Sequence, residues 1–133
     1  MTASILIVED EILVALEMEC ILEEQDYQVV GIAADLEGAL AYADSHIDLA
    51  LVDLNLRDGL TGPEIGRRLC EQCKTTVLFI TANPGLLGEG IAGTVGVLAK
   101  PTCEKDVERA VDYALRIRKG ERATPPAGLR AFA

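Results

Sequence analysis

Five times along this chain a short apolar, mostly β-branched run gives way to a longer stretch with helical spacing. The runs are Ile5-Leu6-Ile7-Val8, Val29-Val30-Gly31-Ile32, Leu49-Ala50-Leu51-Val52, Val77-Leu78-Phe79-Ile80 and Gly96-Val97-Leu98-Ala99. Each is continuous rather than alternating, so each reads as a strand covered on both faces. A sheet covered on both faces needs helices above and below it, and five βα units in series are joined by right-handed crossovers. The expected architecture is therefore a doubly wound α/β sandwich around a parallel sheet. With no Trp and only five aromatic residues, its core must be built from Val, Ile, Leu and Ala.

The helical segments follow from apolar spacing. Ile12, Leu13, Leu16 and Cys20 share one face of a first helix, and Leu36, Ala39, Leu40 and Ala43 share one of a second, with Asp35 as N-cap. Ile65 and Leu69 mark a third, begun near Thr61 with Pro63 in its first turn. Val107, Ala110, Val111, Ala114 and Leu115 give the last helix its stripe, with Thr102 as N-cap. Residues 83–96 are different. They hold Pro84 and glycines at 85, 88, 90, 93 and 96, and each interior Gly costs a helix roughly 1 kcal/mol relative to Ala. A short, frayed or irregular segment is expected there. Beyond residue 119 the periodicity ends among Gly120, Pro125, Pro126 and Gly128, so residues 1–119 read as one domain and 120–133 as a flexible tail or linker stub.

Charge narrows the partners. Twenty-two acidic residues against twelve basic ones leave a net charge of −10, which disfavours duplex nucleic acid or an anionic membrane as direct partners. No apolar run is long enough to span a bilayer and no basic segment precedes an apolar stretch, so a cytoplasmic protein is expected. Cys20, Cys70, Cys73 and Cys103 then read as reduced thiols. Cys70 and Cys73 have redox spacing but fall near a helix end, away from the helix N-terminus where the dipole lowers a thiol pKa. His46, the only histidine, reads as a surface residue.

The chemistry lies where the strands end. Glu9-Asp10 close the first, Asp53 the third, Thr81 the fourth and Lys100-Pro101 the fifth. In a doubly wound sheet these ends face one crevice at the carboxyl edge. Two carboxylates at about 4 Å repel by on the order of 4 kcal/mol at an effective dielectric of 20. Such a cluster calls for a counter-charge, from Lys100 and from a hard divalent cation, for which Mg²⁺ is the expected choice. A carboxylate nucleophile, a metal and fixed donors are the equipment of phosphoryl transfer.

An acidic pair, an Asp, a Thr and a Lys-Pro, in that order and at these strand ends, resemble the receiver domain of two-component response regulators over residues 4 to about 119. The resemblance implies a flavodoxin-like (βα)5 fold with a five-stranded parallel sheet of order 2-1-3-4-5. It implies that Asp53 accepts a phosphoryl group from a histidine kinase or phosphotransfer protein. Thr81 and Lys100 would hold phosphoryl oxygens, and Glu9, Asp10, Asp53 and the Asn55 carbonyl would hold Mg²⁺. It implies a cis peptide before Pro101 that helps aim Lys100. It also implies a signalling role in which the only catalysis is the chain's own phosphorylation and dephosphorylation. The output would pass to a downstream protein through the face made by the fourth helical segment, the fifth strand and the last helix, residues 84–119.

Two departures bear on that output. Receivers usually carry Tyr or Phe three positions before the lysine, where this chain has Val97. The loop after the acceptor, residues 56–62, lacks the common proline and is one residue longer. This resembles an atypical subgroup lacking the aromatic switch, in which phosphorylation would order the segment after Thr81 rather than swing a ring. A phosphatase of the haloacid dehalogenase type also uses a strand-end Asp but needs a second Asp two residues on, where this chain has Asn55. Nucleotide and flavin binders need a glycine- or hydroxyl-rich loop after the first strand, where Glu9, Asp10 and Glu11 stand. The remaining alternative is a non-phosphorylated pseudo-receiver that serves as an interaction module.

Overall fold

The computed structural model describes residues 2–132. All five apolar runs form strands: β1 (Ser4–Val8), β2 (Gln28–Ala33), β3 (Leu49–Val52), β4 (Thr76–Thr81) and β5 (Gly96–Ala99). They pair in parallel in the order β2-β1-β3-β4-β5. The helices are α1 (Ile12–Glu24), α2 (Leu36–Leu40), α3 (Gly62–Cys73) and α4 (Glu104–Arg118). Strand side chains alternate between two apolar clusters. Ile5, Ile7, Leu49, Leu51, Leu78 and Ile80 meet α1 and α4 on one face. Leu6, Val8, Ala50, Val52, Val77 and Phe79 meet α2 and α3 on the other. Burial on both faces is the reason the runs are continuous.

The sheet has six strands rather than five. Leu129–Ala131 form β6, antiparallel to β5, with Gly96 opposite Ala131 and Leu98 opposite Leu129. The expectation of a wholly flexible tail from residue 120 is corrected at this point. Three residues are too few to show a period, and they pair because β5 leaves an edge of unsatisfied backbone groups.

α1 buries a different face from the one expected. Ala15, Met18 and Leu22 point inward, while Ile12, Leu13 and Leu16 are exposed, Leu13 to 79%. The helix is apolar on two stripes, and spacing alone could not choose between them. Residues 83–96 hold one 3₁₀ turn, Pro84–Leu87, in keeping with the glycine-rich sequence. Asp35 caps α2 as expected, accepting from the Gly38 amide at 2.7 Å, and α2 closes at Leu40, before the expected Ala43. Thr61 is the N-cap of α3. The N-cap of α4 is Cys103, one residue beyond the expected Thr102, and its amide donates to the Asp106 carboxylate at 3.4 Å. Lys100–Pro101 is cis.

Candidate functional site

Backbone hydrogen bonds that run on past the strands gather the strand-end residues. The Asp53 amide donates to the Val8 carbonyl at 3.0 Å, and the Lys100 amide to the Thr81 carbonyl at 2.8 Å. The ends of β1, β3, β4 and β5 thus lie side by side at the carboxyl edge of the sheet. Across that edge the Lys100 Nζ donates to Asp53 Oδ2 at 2.9 Å and to Glu9 Oε1 at 2.5 Å. The second Asp53 oxygen accepts from the Leu54 amide at 2.7 Å. The Asp53 carboxylate is held by both oxygens, and its side chain stays 13% exposed.

Glu9 is 4% exposed. Burial raises its carboxyl pKa above the ordinary value, and the hydrogen bond and charge of Lys100 only partly offset this. Burial also works against the Lys100 ammonium, but its bonds to Glu9 and Asp53 outweigh that and leave its pKa raised. The ammonium is therefore firmly charged at neutral pH. Thr81 is fully buried, and its hydroxyl accepts from the Asn83 amide at 3.1 Å.

Of the residues predicted from sequence, Glu9, Asp53 and Lys100 meet directly and Thr81 stands on the adjoining strand. Asp10 and Asn55 are exposed at the rim. The expected convergence of three carboxylates is reduced to two. Among the described residues, no group of three His, Cys, Asp or Glu side chains is close enough to hold a metal ion. Glu9 and Asp53 meet through the Lys100 ammonium between them. The donor chemistry nonetheless fits a hard divalent cation. Three carboxylates and a carbonyl are all oxygen donors, and one lysine leaves the set with an excess of negative charge.

Two further residues build the site that sequence reasoning did not single out. Gly62 opens α3 against Asp53: a Cβ there would lie 2.1 Å from the Asp53 carbonyl oxygen, and its amide donates to the Leu54 carbonyl at 3.0 Å. A glycine before Pro63 at a helix start was the available signal. Arg57 ties the loop after Asp53 to α2 by pairing with Asp35, the α2 N-cap. The Asp58 carboxylate reinforces this by accepting from the Leu36 amide at 3.1 Å. That contact joins residues 22 apart, and no local pattern announces it.

Beside the site, α1 and the start of α4 frame a groove of about 310 Å³ lined by Val14, Met18, Ile21, Lys100, Pro101 and Val107. A larger cleft, about 900 Å³, lies at the opposite end of the sheet near His46, Asp48 and Arg118 and contains none of the site residues. Cys70 is half-buried, and burial pushes its thiol up to about 11, so its thiolate is disfavoured at neutral pH.

The family model of the response regulator receiver domain matches residues 5–112. The chain belongs to this family. Receiver domains are signalling modules, and this one is similar to the phyllosphere-induced regulator PhyR of Methylorubrum extorquens, 32% identical over 126 residues. That match covers 92% of this chain and 47% of the relative. Among solved structures, response regulator PhyR from Brucella abortus superposes with a TM-score of 0.80 at 28% identity, covering 90% of this chain and 50% of that one. The receiver domain of Erythrobacter litoralis PhyR superposes at 0.75 and 28% identity, covering 95% and 96%. The receiver thus spans about half the length of the first relatives it matches.

Proposed function

We propose that this receiver accepts a phosphoryl group on Asp53 from a cytoplasmic histidine kinase or phosphotransfer protein and signals through protein contacts. The observation that carries the reading is the Lys100 ammonium bridging Asp53 and Glu9 at the carboxyl edge of the sheet. An Asp53 carboxylate oxygen forms the new bond to phosphorus while the P–N bond of the donor phosphohistidine breaks, its electron pair leaving on the imidazole. Lys100 then pairs with a phosphoryl oxygen, and the Thr81 hydroxyl donates to another. Asp10, Glu9, Asp53 and the Asn55 carbonyl would hold Mg²⁺, which neutralises phosphoryl charge when bound. Hydrolysis of the acyl phosphate returns the carboxylate, so the protein catalyses only its own phosphorylation and dephosphorylation.

The exposed Ile12, Leu13 and Leu16 on α1 stand next to this site and offer the donor an apolar footing. The net charge of −10 speaks against nucleic acid or an anionic membrane as a direct partner. Among the described residues no helix is long and apolar enough to cross a membrane. For output, the PhyR of Bartonella quintana is described as an anti-anti-sigma factor. A protein target of that regulatory kind fits a module with this surface.

One observation favours a second reading, an interaction module that is never phosphorylated: among the described residues no three acidic side chains are grouped closely enough to hold a metal ion, and Asp10 is exposed. Intact-mass analysis with acetyl phosphate separates the two. A single Mg²⁺-dependent phosphoryl adduct, absent from Asp53→Ala, is expected. No adduct from acetyl phosphate or from any phosphorylated histidine phosphotransfer protein would replace the first reading with the second.

A further inference from the structure

The edge of β5 is covered by the chain itself. Leu129 is buried against the α1–α4 cluster, while Phe132 packs on the α2–α3 cluster, so β6 straddles the end of the sheet. The Phe132 amide donates to the Val95 carbonyl at 3.0 Å. The Arg130 guanidinium donates to the Gly88 carbonyl at 2.8 Å and the Pro84 carbonyl at 3.2 Å, and lies 5.3 Å from the Phe132 ring centre.

Two glycines shape the seat. A Cβ on Gly96 would stand 2.6 Å from the Arg130 carbonyl oxygen, and one on Gly90, at φ +110°, would stand 2.5 Å from the Phe132 ring. The edge itself carries no guard. Gly96-Val97-Leu98-Ala99 has no charge and no proline, the usual protections of a free edge. Its cover is light, because β6 pairs with Gly96, Val97 and Leu98 and leaves Ala99 exposed and unpaired with it. The connection from α4 to β6, residues 121–128, is mostly exposed.

We propose that the β5 edge and the Gly90 notch form a strand-docking site for an extended peptide, which residues 129–132 fill in the closed state. The occupant seated there defines the chemistry the site accepts: an apolar residue, a basic one, a small one and an aromatic, running antiparallel to β5. A partner segment that also pairs with Ala99 makes a longer ladder than β6 does, which lets it compete with a tethered segment at high effective concentration. The inference is independent of phosphoryl transfer. The contacts at issue nonetheless touch the segment that follows Thr81 and the strand that leads into Lys100.

The test uses the full chain. Native-state hydrogen exchange on the wild type should show the amides of residues 130–132 opening locally, about tenfold or more faster than those of β1 and β3. In Arg130→Ala/Phe132→Ala that protection should be lost while β1 and β3 keep theirs. A labelled synthetic peptide of residues 126–132 should bind this variant saturably, and the wild type about tenfold or more weakly. The same peptide carrying Phe132→Asp should bind neither. Three results overturn the proposal: β6 amides that exchange only with the core, a variant that loses protection throughout β1 and β3, or a folded, opened variant that ignores the peptide. The milder Arg130→Ala separates a loosened β6 from a damaged core.

Discussion

A Cβ on Gly62 would lie 2.1 Å from the Asp53 carbonyl oxygen and 2.5 Å from the Leu54 Cα. Both are backbone atoms of Asp53 and its neighbour, so no rotamer change relieves the clash. At Gly66 the nearest atom, 2.5 Å away, belongs to the Phe79 ring, a side chain that can shift. Gly62→Ala is therefore expected to lose stability at the upper end of the roughly 1–3 kcal/mol typical of overpacking, and Gly66→Ala less. Alanine's better helix propensity, up to about 1 kcal/mol, does not offset a backbone clash. Urea denaturation reads the order of the two variants. Adduct formation from acetyl phosphate should slow in Gly62→Ala alone, because only that clash pushes on Asp53. Equal slowing in both would mean that Gly62 acts through general stability.

Among the elements, the segment after β4 sets this receiver apart. It holds a single 3₁₀ turn where a fourth helix would stand, and Val97, 1% exposed, occupies the place of the usual aromatic. The Thr81 hydroxyl accepts the Asn83 amide, which adjoins that turn. If the hydroxyl swings to donate to a phosphoryl oxygen, its oxygen moves relative to the Asn83 amide and the segment must adjust to follow it. Amide exchange across residues 82–96 is expected to change on forming a beryllofluoride adduct, while β1 and β3 stay as they were. Unchanged exchange in a verified adduct would show that the signal leaves by another route. The α1 stripe of Ile12, Leu13 and Leu16 shows how an element's role depends on its neighbours. Identical spacing reads as core or as surface until the sheet selects Ala15, Met18 and Leu22.

For the whole molecule, a net charge of −10 on 133 residues acts against the compact state. The ion pairs on α3 and α4, Arg67 with Glu64 and Glu71 and Arg116 with Asp112, are exposed and contribute little. Lys100 between Glu9 and Asp53 is sheltered and is screened less. Repulsion should therefore dominate the response to salt. Raising NaCl from about 20 to about 200 mM shortens the Debye length to under about 10 Å and is expected to raise the thermal midpoint. A fall would show that the surface pairs outweigh the repulsion.

Much of this molecule is legible in its sequence alone. The five runs became β1 to β5 because continuous apolar segments bounded by charge have one good solution, a sheet covered on both faces. Asp53, Thr81, Lys100 and Glu9 were locatable because strand ends in such a sheet share an edge. Local spacing held the strands, the Asp35 cap and the glycine-broken segment, since each rests on interactions within a few residues. What tertiary structure alone decided were contacts between distant parts of the chain. These are the face α1 turns inward, the Arg57–Asp35 tie, the close approach of Gly62 to Asp53, and the return of residues 129–132 to β5. Each depends on which surface is left unsatisfied once the sheet is assembled, and a linear pattern carries no record of that.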